Sequence, residues 1–253
     1  MKYRYLLGEL VKKSVKLQYR NSVLGMFWSF LNPLLTMSIQ FVIFSTLFQS
    51  DIENFIVYLL TGIVCFNFFS EATNMCLMSI LGNAPLINKV YVPKYIYPFS
   101  RTLSSVVNLL LSLIPLLLML IITQRAVPLT ILLLPFVLLM LFFLSYGMGL
   151  ILATMMVFFR DTQFLWSICV MLLNYLSPIF YPETIIPINF LPIYRLNPLY
   201  QIITFMRKIL MIGEGMSAPA PQDYLTCIIA CIIPFILGLW IFKKNEDKFV
   251  LNI

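Results

Sequence analysis

The chain has no histidine, and charged residues make up only 11% of it. Without histidine there is no Ser-His or Cys-His nucleophile pair and no His-ligated zinc site, which removes most intramembrane protease chemistry. None of the nine glycines opens a Gly-x-x-x-x-Gly-Lys-Ser/Thr loop, so the chain itself is not expected to bind and hydrolyse ATP in the P-loop manner. The five cysteines, Cys65, Cys76, Cys169, Cys227 and Cys231, lie in or beside apolar runs, and apart from the Cys227/Cys231 pair none has a second zinc-type ligand close in sequence. They read as small buried apolar residues, and no metal site is expected. Lys2 to Arg20 lacks the uninterrupted apolar core and small-residue cleavage site of a signal peptide, so this segment is expected to stay in the mature protein.

What is abundant is grease. Hydrophobic types make up 61% of 253 residues, and the mean hydropathy is +0.94. A water-soluble surface needs more charge than this, so the bilayer is read as the solvent for most of the chain. The expected fold class is an all-α polytopic membrane protein, one transmembrane domain over 1–253. Six spans are predicted at 26–48, 55–80, 103–122, 129–159, 164–180 and 224–242. The fourth, at 1.5 Å per residue, would reach ~46 Å and is expected to tilt or project.

Before the first span, residues 5–20 have helical periodicity. Leu6, Leu7, Leu10, Val11 and Leu17 share one side, while Glu9, Lys12, Lys13, Lys16 and Arg20 share the other. Such a helix is expected to lie flat in the headgroup region with its lysines toward anionic lipid; the plainer reading is a solvated basic leader. Inside the second span stands Glu71, with Asn67 and Asn74 at helical neighbour positions. Lipid cannot satisfy these groups, so they are expected to face protein or a water-filled cavity.

Two stretches break the apolar pattern. The loop 84–98 carries Pro85, Pro93 and Pro98 with Lys89 and Lys94. From Tyr181 to Ile212 the chain stays apolar but is punctuated by Pro182, Pro187, Pro192 and Pro198, which excludes a straight span. Two short half-inserted helices are expected in 183–212, one within 184–193 and one within 199–212. The second would set Leu199, Ile202, Ile203, Met206, Ile209 and Leu210 against Gln201, Thr204, Arg207 and Lys208. With both termini inside, thirteen Lys/Arg fall on the cytoplasmic side and four outside, and this asymmetry sets the expected orientation. No internal repeat suggests two inverted halves.

Several local patterns, taken in order, resemble one family. Arg20-Asn21-Ser22-Val23-Leu24-Gly25 is followed by Trp28 and Asn32-Pro33-Leu34. Leu86-Ile87-Asn88-Lys89-Val90-Tyr91-Val92-Pro93-Lys94 is followed by Pro98. Phe159-Arg160-Asp161 precedes the fifth span, and Ser177-Pro178-Ile179-Phe180-Tyr181-Pro182 closes it. Asn197-Pro198-Leu199 then opens an amphipathic helix containing Arg207. The chain thus resembles, over nearly its full length, the permease subunits of ABC exporters of lipid-linked polysaccharide, the O-antigen, capsule and teichoic-acid branch. It departs from the pattern at Asn88, where the family often has a second basic residue.

The resemblance implies a homodimer in the cytoplasmic (inner) membrane with two copies of a separate ABC ATPase below, ATP and Mg being bound by that partner. Its cargo would be a polyprenyl-pyrophosphate-linked glycan, with membrane lipid as surroundings and no nucleic acid involved. It also implies a coupling element at Pro85, Leu86, Lys89, Val90, Tyr91, Pro93 and Lys94, with Arg160 and Asp161 as a second contact or as a plain turn with a local ion pair. An outer gate would involve Ser177, Pro178, Tyr181, Asn197, Pro198 and Arg207. Arg207 and Lys208 are open to two readings, attraction of phosphate or snorkelling; Glu71 either lines the route or bonds within the bundle. Rival classes are an ion-driven secondary transporter, for which one Glu71 is a thin carboxylate relay, and a membrane enzyme or scaffold. Another amphipathic cargo, a drug or simple lipid, is a variant within the family.

Overall fold

Long apolar runs with no water to satisfy their backbone must close their hydrogen bonds within the segment, and helices do this. The computed structural model describes residues 4–19, 22–48, 54–89, 92–123, 128–212 and 216–252, and among these there is no strand, only an isolated bridge between Ile212 and Met216. The helices are α1 (Arg4–Gln18), α2 (Phe27–Phe48), α3 (Phe55–Leu77), α4 (Ala84–Ile87), α5 (Ile96–Thr123), α6 (Leu134–Phe158), α7 (Thr162–Leu176), α8 (Leu191–Leu196), α9 (Pro198–Leu210), α10 (Pro221–Asn245) and α11 (Phe249–Asn252). Four stretches are long and apolar enough to cross a membrane: Phe55–Leu77, Ile96–Thr123, Leu129–Phe158 and Pro221–Asn252. Shorter apolar helices run over Phe27–Ile43 and Thr162–Leu176.

The centre of the bundle is α3, whose residues are mostly buried, packed between α5 and α6. On the far side of α6 lies α10, and the two backbones nearly touch. A Cβ at Gly147 would overlap the backbone of Phe235, and one at Gly238 would overlap the carbonyl of Gly147. Lipid tails are as apolar as the helices themselves, so association depends on such close approach, which small residues permit. By contrast α7 buries only Thr162 and Trp166, leaving Phe164, Leu165, Ile168, Met171, Leu172 and Tyr175 exposed.

Several boundaries shift from the sequence expectation. Helix α5 opens at Ile96 rather than near Leu103, so Pro98 and Arg101 are helical; Pro98 sits in the first turn, where its missing N–H is not needed. Helix α7 stops at Leu176, leaving 177–180 outside the helix. The first expected half-inserted helix is instead a 3-10 turn, Glu183–Ile185, followed by the short α8. The second is α9, capped by the Asn197 side chain, which accepts from the Leu199 amide at 3.0 Å, with Pro198 at its first position.

Candidate functional site

The predicted residues fall into three groups, at the two ends of the bundle and beside α1. At the end where α3 begins and α7 finishes, the non-helical segment 177–181 exposes carbonyls that no helix satisfies. Two side chains collect them. The guanidinium of Arg207 donates to the carbonyls of Pro178 at 2.6 Å, Ile179 at 3.2 Å and Tyr58 at 3.2 Å. The Tyr58 hydroxyl donates to the Tyr181 carbonyl at 2.9 Å and shares its proton with that of Pro178 at 3.3 Å. Arg207 also lies over the Tyr58 ring, 3.4 Å from its centroid.

Room for the guanidinium comes from Gly62, where a Cβ would stand 3.0 Å from an Arg207 nitrogen and 2.9 Å from the Ile179 side chain. Ser177 accepts from the Asn197 amide at 3.1 Å, and the Tyr181 hydroxyl donates to the Tyr175 carbonyl at 2.7 Å. Ser177, Pro178, Tyr181, Asn197 and Arg207, drawn from 31 residues of sequence, thus sit in one hydrogen-bonded knot, with Pro198 beside it at the first position of α9.

Arg207 corrects the expected face of α9. It is 1% exposed, neither snorkelling nor presented to phosphate. Its register explains this: it stands four residues after Ile203 and three before Leu210, both fully buried, so it belongs to the edge of the buried face. Lys208, one residue on, points elsewhere and pairs with Asp223 at 2.8 Å. Thr204 donates to Glu183 at 2.8 Å, tying α9 to the 3-10 turn.

At the opposite end, Pro85 and Lys89 are exposed and Leu86 and Pro93 are half-buried. Val92 is buried, and with Leu86 and Ile87 it packs on a satellite apolar cluster that includes Leu10, Ile96, Tyr97 and Phe249. Lys94 donates to the Glu246 carbonyl and stands over the Phe249 ring at 5.8 Å, so it holds the C-terminal segment against the start of α5. Val90, Tyr91 and Arg20 lie outside the described residues. Arg160 and Asp161 are exposed and form no ion pair with each other; the ion pairs among the described residues are Lys12–Glu9 and Lys208–Asp223. Asp161 starts α7 with its carbonyl, which accepts from the Phe164 and Leu165 amides. Arg160 instead lines a cleft of about 440 Å³ together with Met78, Leu81 and Ala84.

Beside these, α1 lies across α5 with Lys12, Lys13 and Lys16 exposed and Leu10 and Val15 buried. Its sequence-read apolar side is rotated: Leu17 is exposed, whereas Ser14 is buried, its hydroxyl satisfied by the Leu10 carbonyl at 2.9 Å. Glu71 on α3 accepts from Gln18 at 3.1 Å and from the Asn108 side chain of α5. Asn108 in turn accepts from Tyr19 at 2.8 Å and Ser29 at 3.3 Å.

Sequence reasoning missed Tyr58, Gly62, Gln18 and Asn108. For Asn108 a signal was present, a carboxamide within the apolar run 103–122; for Tyr58 and Gly62 there was none, because their partners are more than a hundred residues away.

With this geometry in hand, the comparisons decide the family. The family model described as "ABC-2 type transporter" matches residues 5–211, which takes in α1 and every helix through α9. The chain belongs to the ABC-2 type transporter membrane family. Among curated proteins, it is 30% identical to "O-antigen export system permease protein RfbA" of Klebsiella pneumoniae, over 96% of this chain and 93% of that protein. A protein of the same name from Myxococcus xanthus is 31% identical over 99% of this chain and 96% of its own length. "Polysialic acid transport protein KpsM" of Escherichia coli is 26% identical, covering 94% and 92%. These likenesses run over nearly the whole chain rather than through one shared segment.

Proposed function

We propose that this chain is the permease subunit of an ATP-driven exporter that moves lipid-linked polysaccharide across the cytoplasmic membrane. The observation that carries this reading is near full-length similarity to permeases named for O-antigen and polysialic acid transport. The absence of a phosphate-binding loop from the sequence fits it, since energy must then come from a second subunit that binds ATP and Mg.

In this reading α2, α3, α5, α6, α7 and α10 are the six spans, α7 being short because the knot at 177–181 completes its crossing. Both termini are cytoplasmic, in line with the excess of Lys/Arg there. Two copies pair around the route, and two ATPases dock on the face that carries Pro85, Lys89 and Arg160. The segment 177–210 closes the outer end when no polymer is present. Deleting the gene tests the function: surface polysaccharide should disappear while lipid-linked polymer accumulates in the cytoplasm. Unchanged surface glycan would overturn it.

A further inference from the structure

The polar groups around Glu71 surround a space as well as one another. A cavity of about 200 Å³ lies between the end of α1, the start of α2, α3 and α5, with Glu71, Asn67, Asn32, Asn108 and Trp28 on its wall. Both hydrogen bonds to Glu71 fall on its Oε1, and no described residue donates to Oε2. Glu71 is six residues before Leu77 at the end of α3, so the cavity opens about 9 Å from that end of the helix. Across Tyr19, which lines both, lies a wider cleft of about 630 Å³ with apolar walls from Val11, Val15 and Val107 and with Lys12 and Lys16 at its rim.

We propose that the two spaces form one site for the reducing end of the lipid-linked glycan, with the first sugar in the Glu71 chamber and the pyrophosphate against Lys12 and Lys16. The chemistry of each half matches one part of such a molecule. A carboxylate oxygen and the four carboxamides of Gln18, Asn32, Asn67 and Asn108 offer acceptors and donors for neighbouring sugar hydroxyls, and an indole wall packs on the apolar face of a sugar ring. A bare phosphate is repelled by Glu71, whereas Lys12 and Lys16, one helical turn apart on an apolar groove, attract it, the exposed Lys12–Glu9 pair being weak. Gln18 and Tyr19 belong to both the chamber wall and the end of α1, so an occupied chamber pulls directly on that helix.

This inference rests on the proposed function, and the test separates the two. In nanodiscs holding the full chain with its ATPase partner, a short polyprenyl pyrophosphate bearing one hexose or N-acetylhexosamine is titrated against the same lipid without sugar. The sugar-bearing probe should bind about ten-fold more tightly. Glu71→Gln should remove most of that advantage with no loss of sugar-free affinity. Replacing both Lys12 and Lys16 by Gln should weaken both probes alike.

As a measurement that does not depend on altering Glu71, Asn67→Cys should react with a small maleimide and be protected by the sugar-bearing probe alone. Equal affinities for the two probes, or equal Asn67→Cys labelling with both, would overturn the chamber assignment. If the gene deletion still abolishes surface glycan, that failure concerns the chamber alone; if surface glycan persists, the functional reading itself falls.

Discussion

The two ends of the bundle are built on opposite principles. At the Arg207 end, non-helical backbone sits inside the protein, and every named carbonyl from 178 to 181 is met by a buried donor from α3 or α9. At the Lys89 end, Pro85 is exposed and Pro93 half-buried, and Lys89, Arg160 and Asp161 are left exposed, Arg160 on the wall of a cleft. Residues of similar type do different work according to whether the chain itself supplies their partner. A buried cation is retained because carbonyls take both of its terminal nitrogens and a ring covers its face, whereas exposed charges that satisfy nothing internal are available to a second protein.

Breaking the first end should therefore damage the fold, and breaking the second should damage only coupling. The largest effect is expected for Arg207→Ala, which orphans several carbonyls at about 1–3 kcal/mol each; thermal unfolding in detergent should show a clear loss of stability, and Arg207→Lys should recover only part of it, because an ammonium lacks the planar fork. Next comes Gly62→Val, which pushes Arg207 and Ile179 apart and should cost about 1–3 kcal/mol by the same assay. Lys208→Ala breaks a partly exposed pair with Asp223 and should cost about 1 kcal/mol or less. At the other end, Lys89→Glu should change stability by no more than about 0.5 kcal/mol. It should nevertheless reduce export and sever the stimulation of ATP hydrolysis by cargo. A Lys89→Glu protein that unfolds like Arg207→Ala would erase the contrast between the ends.

Much of this plan could be read before any coordinates. Run length and the lack of charge gave the helices, and proline spacing located the interrupted segment, because both are local properties. The knot was only half legible: Asn197-Pro198 announces a cap and a first helical turn, but Tyr58 and Gly62 look like ordinary span residues until α9 is folded against α3. Arg207 was misplaced for a physical reason, since a charge in an amphipathic helix is assigned to the wet face unless its partners are known. Glu71 was rightly picked out as a polar group needing company, yet nothing in its neighbourhood named Gln18 or Asn108 as that company.

A chain with no phosphate-binding loop, acting as an ATP-driven permease in the proposed reading, draws its driving force from another subunit. Reconstituting the purified chain in liposomes with and without its ATPase subunit, and following movement of a lipid-linked glycan, tests it most directly. Transport is predicted only when both subunits and ATP are present. ATP hydrolysis by the chain alone, or transport by it under a proton gradient, would contradict the account.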